Sequence, residues 1–148
     1  MLYPLSYEGG EGKRSRRLPS GPYDGRVPTV LVVDDDPVIQ KLLQFNFEME
    51  GWTVLVADDG EAGLAVARAE RPDAVLLDVM MPRLNGLAVA TALKGDPATK
   101  DIPVVLLSAK AQATDIGDGL ATGADAYVTK PFDPLELLER VSALIALA

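Results

Sequence analysis

The sequence predicts an α/β chain: a doubly wound parallel sheet with helices on both faces. Three observations carry that prediction. From Thr29 onward, apolar runs of strand length alternate with stretches that have helical spacing. Two of the runs, Thr29–Val33 and Ala74–Leu77, are apolar at nearly every position, the pattern of strands buried on both faces. Each run is separated from the next by one helical stretch, so the chain crosses over between strands and the strands run parallel.

Residues 1–28 come first and do not fit this pattern. Gly9-Gly10, Gly12, Pro19, Gly21-Pro22, Gly25 and Pro28 interrupt them without any apolar period. Such a composition buries too little surface to offset the entropy of ordering, which predicts a disordered N-terminal tail over 1–28 and a folded domain over 29–148. Lys13-Arg14-Ser15-Arg16-Arg17 reads either as a solvated leader or as a docking patch for an acidic partner or RNA.

Thr29 to Val33 is the first strand. Asp36-Pro37 then starts a helix, with Asp36 as N-cap and Pro37 at the first helical position. Val38, Leu42, Phe45 and Met49 recur at i, i+4, i+7 and i+11 on one face of that helix, which Gly51 ends. Trp52 to Ala57 is the second strand. After Asp58-Asp59-Gly60, a short helix offers Ala62, Leu64, Ala65 and Ala69 to the sheet, and Arg71-Pro72 stops it. Ala74 to Asp78 follows, with Pro82 unable to prolong it as a central strand. Asn85-Gly86 opens a third helix to about Lys94. Ile102 to Leu107 is the fourth strand, and a glycine-weakened helix runs from about Gln112 to Thr122. Ala124 to Thr129 is the fifth strand, and Asp133-Pro134 caps a last helix to about Leu147.

Composition narrows the chemistry. The 148 residues are 48% apolar, enough for one packed core. No window approaches the roughly 18 apolar residues of a membrane helix, and no signal-peptide apolar region follows Met1. Arg16-Arg17 lacks the apolar segment of a twin-arginine export signal. With no Cys there is no disulfide framework, and the expected location is the cytoplasm. With no His, a zinc hydrolase or a Ser-His-Asp enzyme is excluded. The net charge of -8 is uneven: +2 over residues 1–28 and -10 over the rest. An acidic body of that kind disfavours direct nucleic-acid binding.

Parallel strands point their carboxyl ends to one edge, where open α/β sheets bind ligands. The first strand brings Asp34, Asp35 and Asp36 there, the third Asp78, the fourth Ser108 and the fifth Lys130. Each has a plainer reading: Asp36 as a helix cap, the triplet as a solvated loop, Ser108 as a turn hydroxyl, Lys130 as a surface lysine. Together they form a set: carboxylates for a hard divalent cation, a further carboxylate as nucleophile, a hydroxyl and an ammonium. Mg²⁺ suits such a site, since it takes one or two carboxylates and keeps waters and phosphate oxygens. The metal, Lys130 and Ser108 would hold a phosphoryl group while Asp78 attacks in line, leaving an acyl phosphate.

From about Thr29 to Ala148 the chain resembles the receiver domain of two-component response regulators. The stretches that carry the resemblance are VLVVDDDP, VLLDVMMPRLNG, VVLLSA and GADAYVTKPF, in that order. The resemblance implies a flavodoxin-like (βα)5 fold with strand order 2-1-3-4-5, an order the handedness of the units alone does not decide. It also implies that Asp78 is the phospho-acceptor. Asp35 would be a direct Mg²⁺ ligand, Asp34 a direct or water-mediated one, and Met80 would offer its backbone carbonyl. Lys130 would pair with the phosphoryl group, aimed by a cis peptide before Pro131, and Ser108 would rotate inward to hydrogen-bond it. Tyr127 matches the family's aromatic switch. Met80 and Lys110 occupy the two positions that help set how water reaches the acyl phosphate.

As a receiver, the chain would take its phosphoryl group from a sensor histidine kinase or a histidine phosphotransfer protein. The signal would leave by protein contact, because the sequence ends with the fifth helix, and neither nucleic acid nor a membrane is an expected partner. The last helix, with Leu135, Leu138, Val141 and Ile145 on one side and Leu137 and Leu144 beside it, holds apolar surface for the core and a possible surplus for a downstream target or a homodimer. Three other readings compete. An aspartyl phosphohydrolase of the haloacid-dehalogenase type needs an acid where Met80 stands. A flavin-mononucleotide binder needs amides and hydroxyls where Asp34-Asp35-Asp36 stand. A phosphorylation-independent interaction module needs none of these groups.

Overall fold

A computed structural model describes residues 26–147, and in it the apolar runs pair into a single five-stranded parallel sheet. The elements are β1 (Thr29–Val33), α1 (Pro37–Met49), β2 (Thr53–Ala57), α2 (Gly60–Glu70), β3 (Ala74–Asp78), α3 (Gly86–Gly95), β4 (Val104–Ser108), α4 (Ala113–Ala121), β5 (Ala126–Thr129) and α5 (Pro134–Leu147). The strand order is β2-β1-β3-β4-β5, all neighbours parallel, which is the flavodoxin-like order. Of the 28 residues expected to form a disordered tail, 1–25 lie outside the described residues. Residues 26–28 are tied to the sheet: Arg26 donates to Asp73 at 2.7 and 3.2 Å, and the Pro28 carbonyl accepts from Thr53 N. Asp73 also accepts from Thr29 N at 2.7 Å, so one carboxylate sets where β1 begins.

Alternate strand residues feed two cores. Val30, Val32, Leu76, Val105 and Leu107 pack under α1 and α5, while Leu31, Val33, Leu77 and Leu106 pack under the helices on the opposite face. Both faces of β1, β3 and β4 are covered, which is why their sequences lack a polar alternation. The helix starts follow local chemistry. Asp36 accepts from Val38 N at 2.9 Å, Asp59 from Ala62 N at 2.8 Å, and Asn85 from Ala88 N at 3.0 Å.

Two helix faces differ from the sequence expectation. In α1 the stripe Val38, Leu42, Phe45 and Met49 is exposed, and Leu43 and Phe47 are the buried residues. The helix carries two apolar stripes, and the one containing Phe47 wins because its ring meets Trp52 edge-on, centroids 5.1 Å apart. In α2 the buried residues are Gly60, Gly63 and Ala67; Ala62 and Leu64 pack against the core partly buried, as expected, whereas Ala65 and Ala69 are exposed. A Cβ on Gly63 would stand 2.7 Å from the Val33 methyls, so α2 rides closer to the sheet than any larger residue permits. Gly123 lies beyond the end of α4, at φ +98°, where it turns the chain toward β5. The last helix is broadly buried, through Leu137, Val141 and Ile145 with Leu138 and Leu144 partly covered, and only Leu135 is left exposed among its predicted apolar residues.

Candidate functional site

Register places the acids. Val33 pairs with Leu77 and Asp78 with Leu107, so the residue after β1, Asp34, stands beside Asp78 across adjacent strands. The same edge receives Lys130, whose backbone N–H donates to the Ser108 carbonyl at 2.8 Å where β4 and β5 end. Asp34, Asp78 and Lys130 therefore come from three separate parts of the chain and meet because parallel strands end together.

At this edge Asp34 and Asp78 are buried, 1% and 4% exposed, while Asp35 is open to solvent. One carboxylate oxygen from each of Asp34, Asp35 and Asp78 lies within 4.8 Å of the others. Lys130 Nζ donates to Asp34 Oδ2 at 3.2 Å and to Asp78 Oδ1 at 3.3 Å. The Lys130–Pro131 peptide is cis. Asp34 is braced by the Asp36 N–H at 2.9 Å on Oδ1, and Met80 N–H reaches Asp78 Oδ1 at 3.4 Å. Burial, followed by the negative charge of Asp34, raises the Asp78 carboxyl above its ordinary 3.8, and Lys130 offsets only part of this. Burial pushes the Lys130 ammonium down, but Asp34 and Asp78 together override it and hold it above 10.5. The donor set is all oxygen and carries more negative charge than one ammonium neutralises, which fits a hard divalent cation.

Asp36, grouped with these acids in the sequence, only caps α1. Ser108 is fully buried at the end of β4, and its Oγ accepts from Lys110 N–H at 3.1 Å. The Lys110 carbonyl in turn accepts from the Tyr127 hydroxyl at 2.8 Å. The Tyr127 ring lies against α4 in a notch at Gly119, where a Cβ would stand 2.6 Å from a ring carbon.

The sequence reading missed two supporting residues. Gln40 Nε2 on α1 donates to the Asp34 carbonyl and, at 2.8 Å, to Asp58 Oδ1, so it ties the β1 and β2 loops together. Nothing in its local pattern distinguishes it from a surface glutamine. Gly86 was read only as a helix start. A Cβ there would collide with the Asp78 carbonyl oxygen and stand 2.8 Å from Val79 Cα, so its lack of a side chain lets α3 begin against the acceptor strand.

Residues 30–142 match the family model of the response regulator receiver domain. The chain belongs to that family. Among relatives, the receiver is 45% identical over 119 residues to the DNA-binding dual master transcriptional regulator RpaA of Synechocystis, covering 80% of this chain and 49% of that protein. It is 44% identical over 116 residues to the alkaline phosphatase synthesis transcriptional regulatory protein PhoP of Bacillus subtilis, covering 78% and 48%. The receiver thus spans about half the length of these curated relatives. Among solved structures, the Vibrio cholerae chemotaxis protein CheY4 superposes with a TM-score of 0.75 at 30% identity, over 80% of this chain and 98% of that one. The receiver domain of Francisella response regulator 1452 gives a TM-score of 0.75 at 36% identity, over 80% and 96%.

Proposed function

We propose that the chain is a phosphoryl-accepting signalling protein in which Asp78 takes a phosphoryl group from a histidine kinase or phosphotransfer protein. What carries this reading is the Lys130 ammonium held between two buried carboxylates, one from β1 and one from β3, with Asp35 beside them. A salt bridge built only for stability has no need of a third acid in reach of a shared ion.

Asp34, Asp35 and Asp78, with the Met80 backbone carbonyl, are the groups that would hold Mg²⁺. When bound, the ion would neutralise charge on the phosphoryl oxygens and on the carboxylates. An Asp78 oxygen attacks the phosphorus of a phosphohistidine donor. A P–O bond forms as the P–N bond breaks, and the imidazole departs with the electron pair and takes a proton from water. Residues 1–148 contain no His, so the phosphohistidine donor lies outside them. Lys130 moves from its two carboxylates to the incoming oxygens. Ser108, whose hydroxyl hydrogen is free to donate while Oγ accepts from Lys110, is drawn toward the same group.

Movement of Ser108 pulls the Lys110 backbone and with it the acceptor of the Tyr127 hydroxyl. The signal then reaches the groove lined by Ile116, Tyr127, Pro131, Phe132, Glu136 and Arg140 between α4, β5 and α5. A downstream protein reading that groove is the output favoured by the acidic charge of residues 29–148, which disfavours nucleic acid. Among the described residues no helix is long and apolar enough to cross a membrane, and the proposed setting is the cytoplasm. The chemistry is signalling rather than metabolic catalysis: one phosphoryl accepted, then slowly lost to water.

Acetyl phosphate with Mg²⁺ is expected to add one phosphoryl group to the wild-type chain and none at that site to Asp78→Asn. Undiminished labelling of the variant by mass spectrometry would remove Asp78 from the role. The lifetime is a second measurement. Met80 is half exposed beside the acceptor and offers an approaching water no hydrogen bond. Met80→Asn is therefore expected to dephosphorylate several-fold faster, by about 1 kcal/mol of added hydrogen bonding to the attacking water. Equal rates of phosphate release from the two proteins would refute this.

A further inference from the structure

The apolar stripe on α1 has no covering among the described residues. Val38, Leu42, Phe45 and Met49 are 70, 38, 63 and 70% exposed on one 13-residue helix. At about 100° per residue, the centre of the stripe lies roughly 150° around α1 from the buried Leu43 and Phe47. It therefore faces away from the sheet. Contiguous exposed apolar surface of this kind marks a contact site more often than four unrelated residues do.

We propose that the stripe is a self-association surface on which α1 of a second copy packs antiparallel. Three features choose that occupant. The intervals along the stripe are four, three and four residues, a series that reads the same in both directions. A two-fold axis between Leu43 and Gln44 therefore sets Val38 against Met49 of the second copy and Leu42 against Phe45 of the second copy. Each large residue meets a complementary one, as an isologous interface requires. The intervals are also those of a coiled-coil seam, in which apolar residues alternate three and four apart.

Charge agrees with the same orientation. Lys41 and Glu48 flank one side of the stripe, and both are exposed. Antiparallel packing brings Lys41 opposite Glu48 of the second copy, and the two-fold axis makes that pair twice. Parallel packing would set Lys41 against Asn46. It would also bring the exposed Asp35 and Asp36 of both copies to the same end, acid against acid. Opposed helix dipoles favour the antiparallel arrangement as well.

A helix of 13 residues, about 20 Å long, contributes less than the roughly 800 Å² per partner of a standard interface. The dimer is accordingly weak, with a dissociation constant on the order of 10–100 µM. None of the four stripe residues lines the groove between α4, β5 and α5, so the contact does not depend on the phosphoryl-transfer reading.

Sedimentation equilibrium of the full unphosphorylated chain, from about 1 to 300 µM, should show a monomer–dimer equilibrium in that range. Phe45→Glu should raise the dissociation constant about tenfold or more, while far-ultraviolet circular dichroism stays native. Lys41→Glu and Glu48→Lys should each weaken self-association. Mixed in equal amounts, the two single variants should form a heterodimer, and the double variant should dimerise again. A wild-type chain that stays monomeric throughout overturns the proposal, as does a dimer unaffected by Phe45→Glu or single variants that fail to associate when mixed. If hydroxyl-radical labelling of the Phe45 and Met49 side chains is equally low at every concentration, the stripe is covered by the same chain and the proposal fails. If the chain is monomeric and Phe45→Glu slows transfer from a phosphohistidine donor, the face belongs to that donor instead.

Discussion

Asp78→Asn is expected to lose phosphoryl transfer completely and, in Mg²⁺-free buffer at neutral pH, to melt at a higher temperature than the wild-type chain. Loss of transfer follows because an amide oxygen is a far poorer nucleophile than a carboxylate. The gain in stability follows from the raised Asp78 pKa. Burial first, and the neighbouring charge of Asp34 second, make ionised Asp78 less favourable in the folded than in the unfolded chain. The folded state then binds the proton more tightly, so stability falls as pH rises from 3.8 through the raised value and stays lower above it. Asn carries no such charge. A difference of about 1 kcal/mol corresponds to roughly 3–6 °C in a domain of this size.

Below pH 3.8 the carboxyl is neutral in both states, and the advantage of the Asn variant should disappear. Saturating Mg²⁺ should shrink it too, by stabilising the wild-type chain through binding. Lys130 titrates in the same sense but in a separate, alkaline window. Its raised pKa supplies stability that is fully present below pH 10.5 and is lost as pH rises through the folded value. The neutral-pH comparison is thus free of the lysine's titration. Thermal unfolding of both proteins across pH 3 to 8 checks the claim. A variant that melts below wild type at pH 7 in chelator would show that the pair with Lys130 outweighs the burial of the acid.

Gly86→Ala is expected to destabilise the chain by about 3 kcal/mol and to slow phosphorylation about tenfold or more. The added carbon meets the Asp78 carbonyl oxygen and Val79 Cα, both backbone atoms. Neither yields easily: Val79 N–H donates to the Leu107 carbonyl at 3.0 Å, and its own carbonyl accepts from Gly86 N–H at 3.0 Å. The strain is relieved by lifting the start of α3 or by shifting the end of β3, and the second displaces the acceptor carboxylate. Asn85→Ala is the control. It removes the side-chain bond to Ala88 N–H, at a cost of about 1 kcal/mol, without adding any atom near Asp78. Urea midpoints and acetyl phosphate labelling rates on the two variants separate the effects. A Gly86→Ala protein that labels at the wild-type rate would mean that only the helix had moved.

The difference between Gly86 and Asp78 shows what local pattern reveals. Asp78 ends an apolar run, and a charge in that position is conspicuous in one dimension. Gly86 follows Asn85, an ordinary way to begin a helix, and its contact is with a strand that the pattern does not place beside it. Gln40 is the same kind of case, a polar helix residue whose partners, Asp34 and Asp58, belong to two different loops. Gly63 and Gly119 are likewise glycines inside helices, where local pattern gives them no role, yet one seats α2 on Val33 and the other makes room for the Tyr127 ring.

Strand and helix alternation, helix caps and the acids at the strand ends were set by near neighbours in the chain, and they are legible in it. Period and capping depend on residues within one or two turns, so they need no knowledge of what lies opposite. Which of two apolar stripes on α1 turned inward was a tertiary decision. Both stripes have helical spacing, and only the pocket formed by the sheet and Trp52 favours Phe47 over Phe45. The distances that join Lys130 to Asp34 and Asp78 were decided the same way, by three parallel strands ending at one edge. Burial and register depend on residues far apart in sequence, and those distances exist only once the sheet has formed.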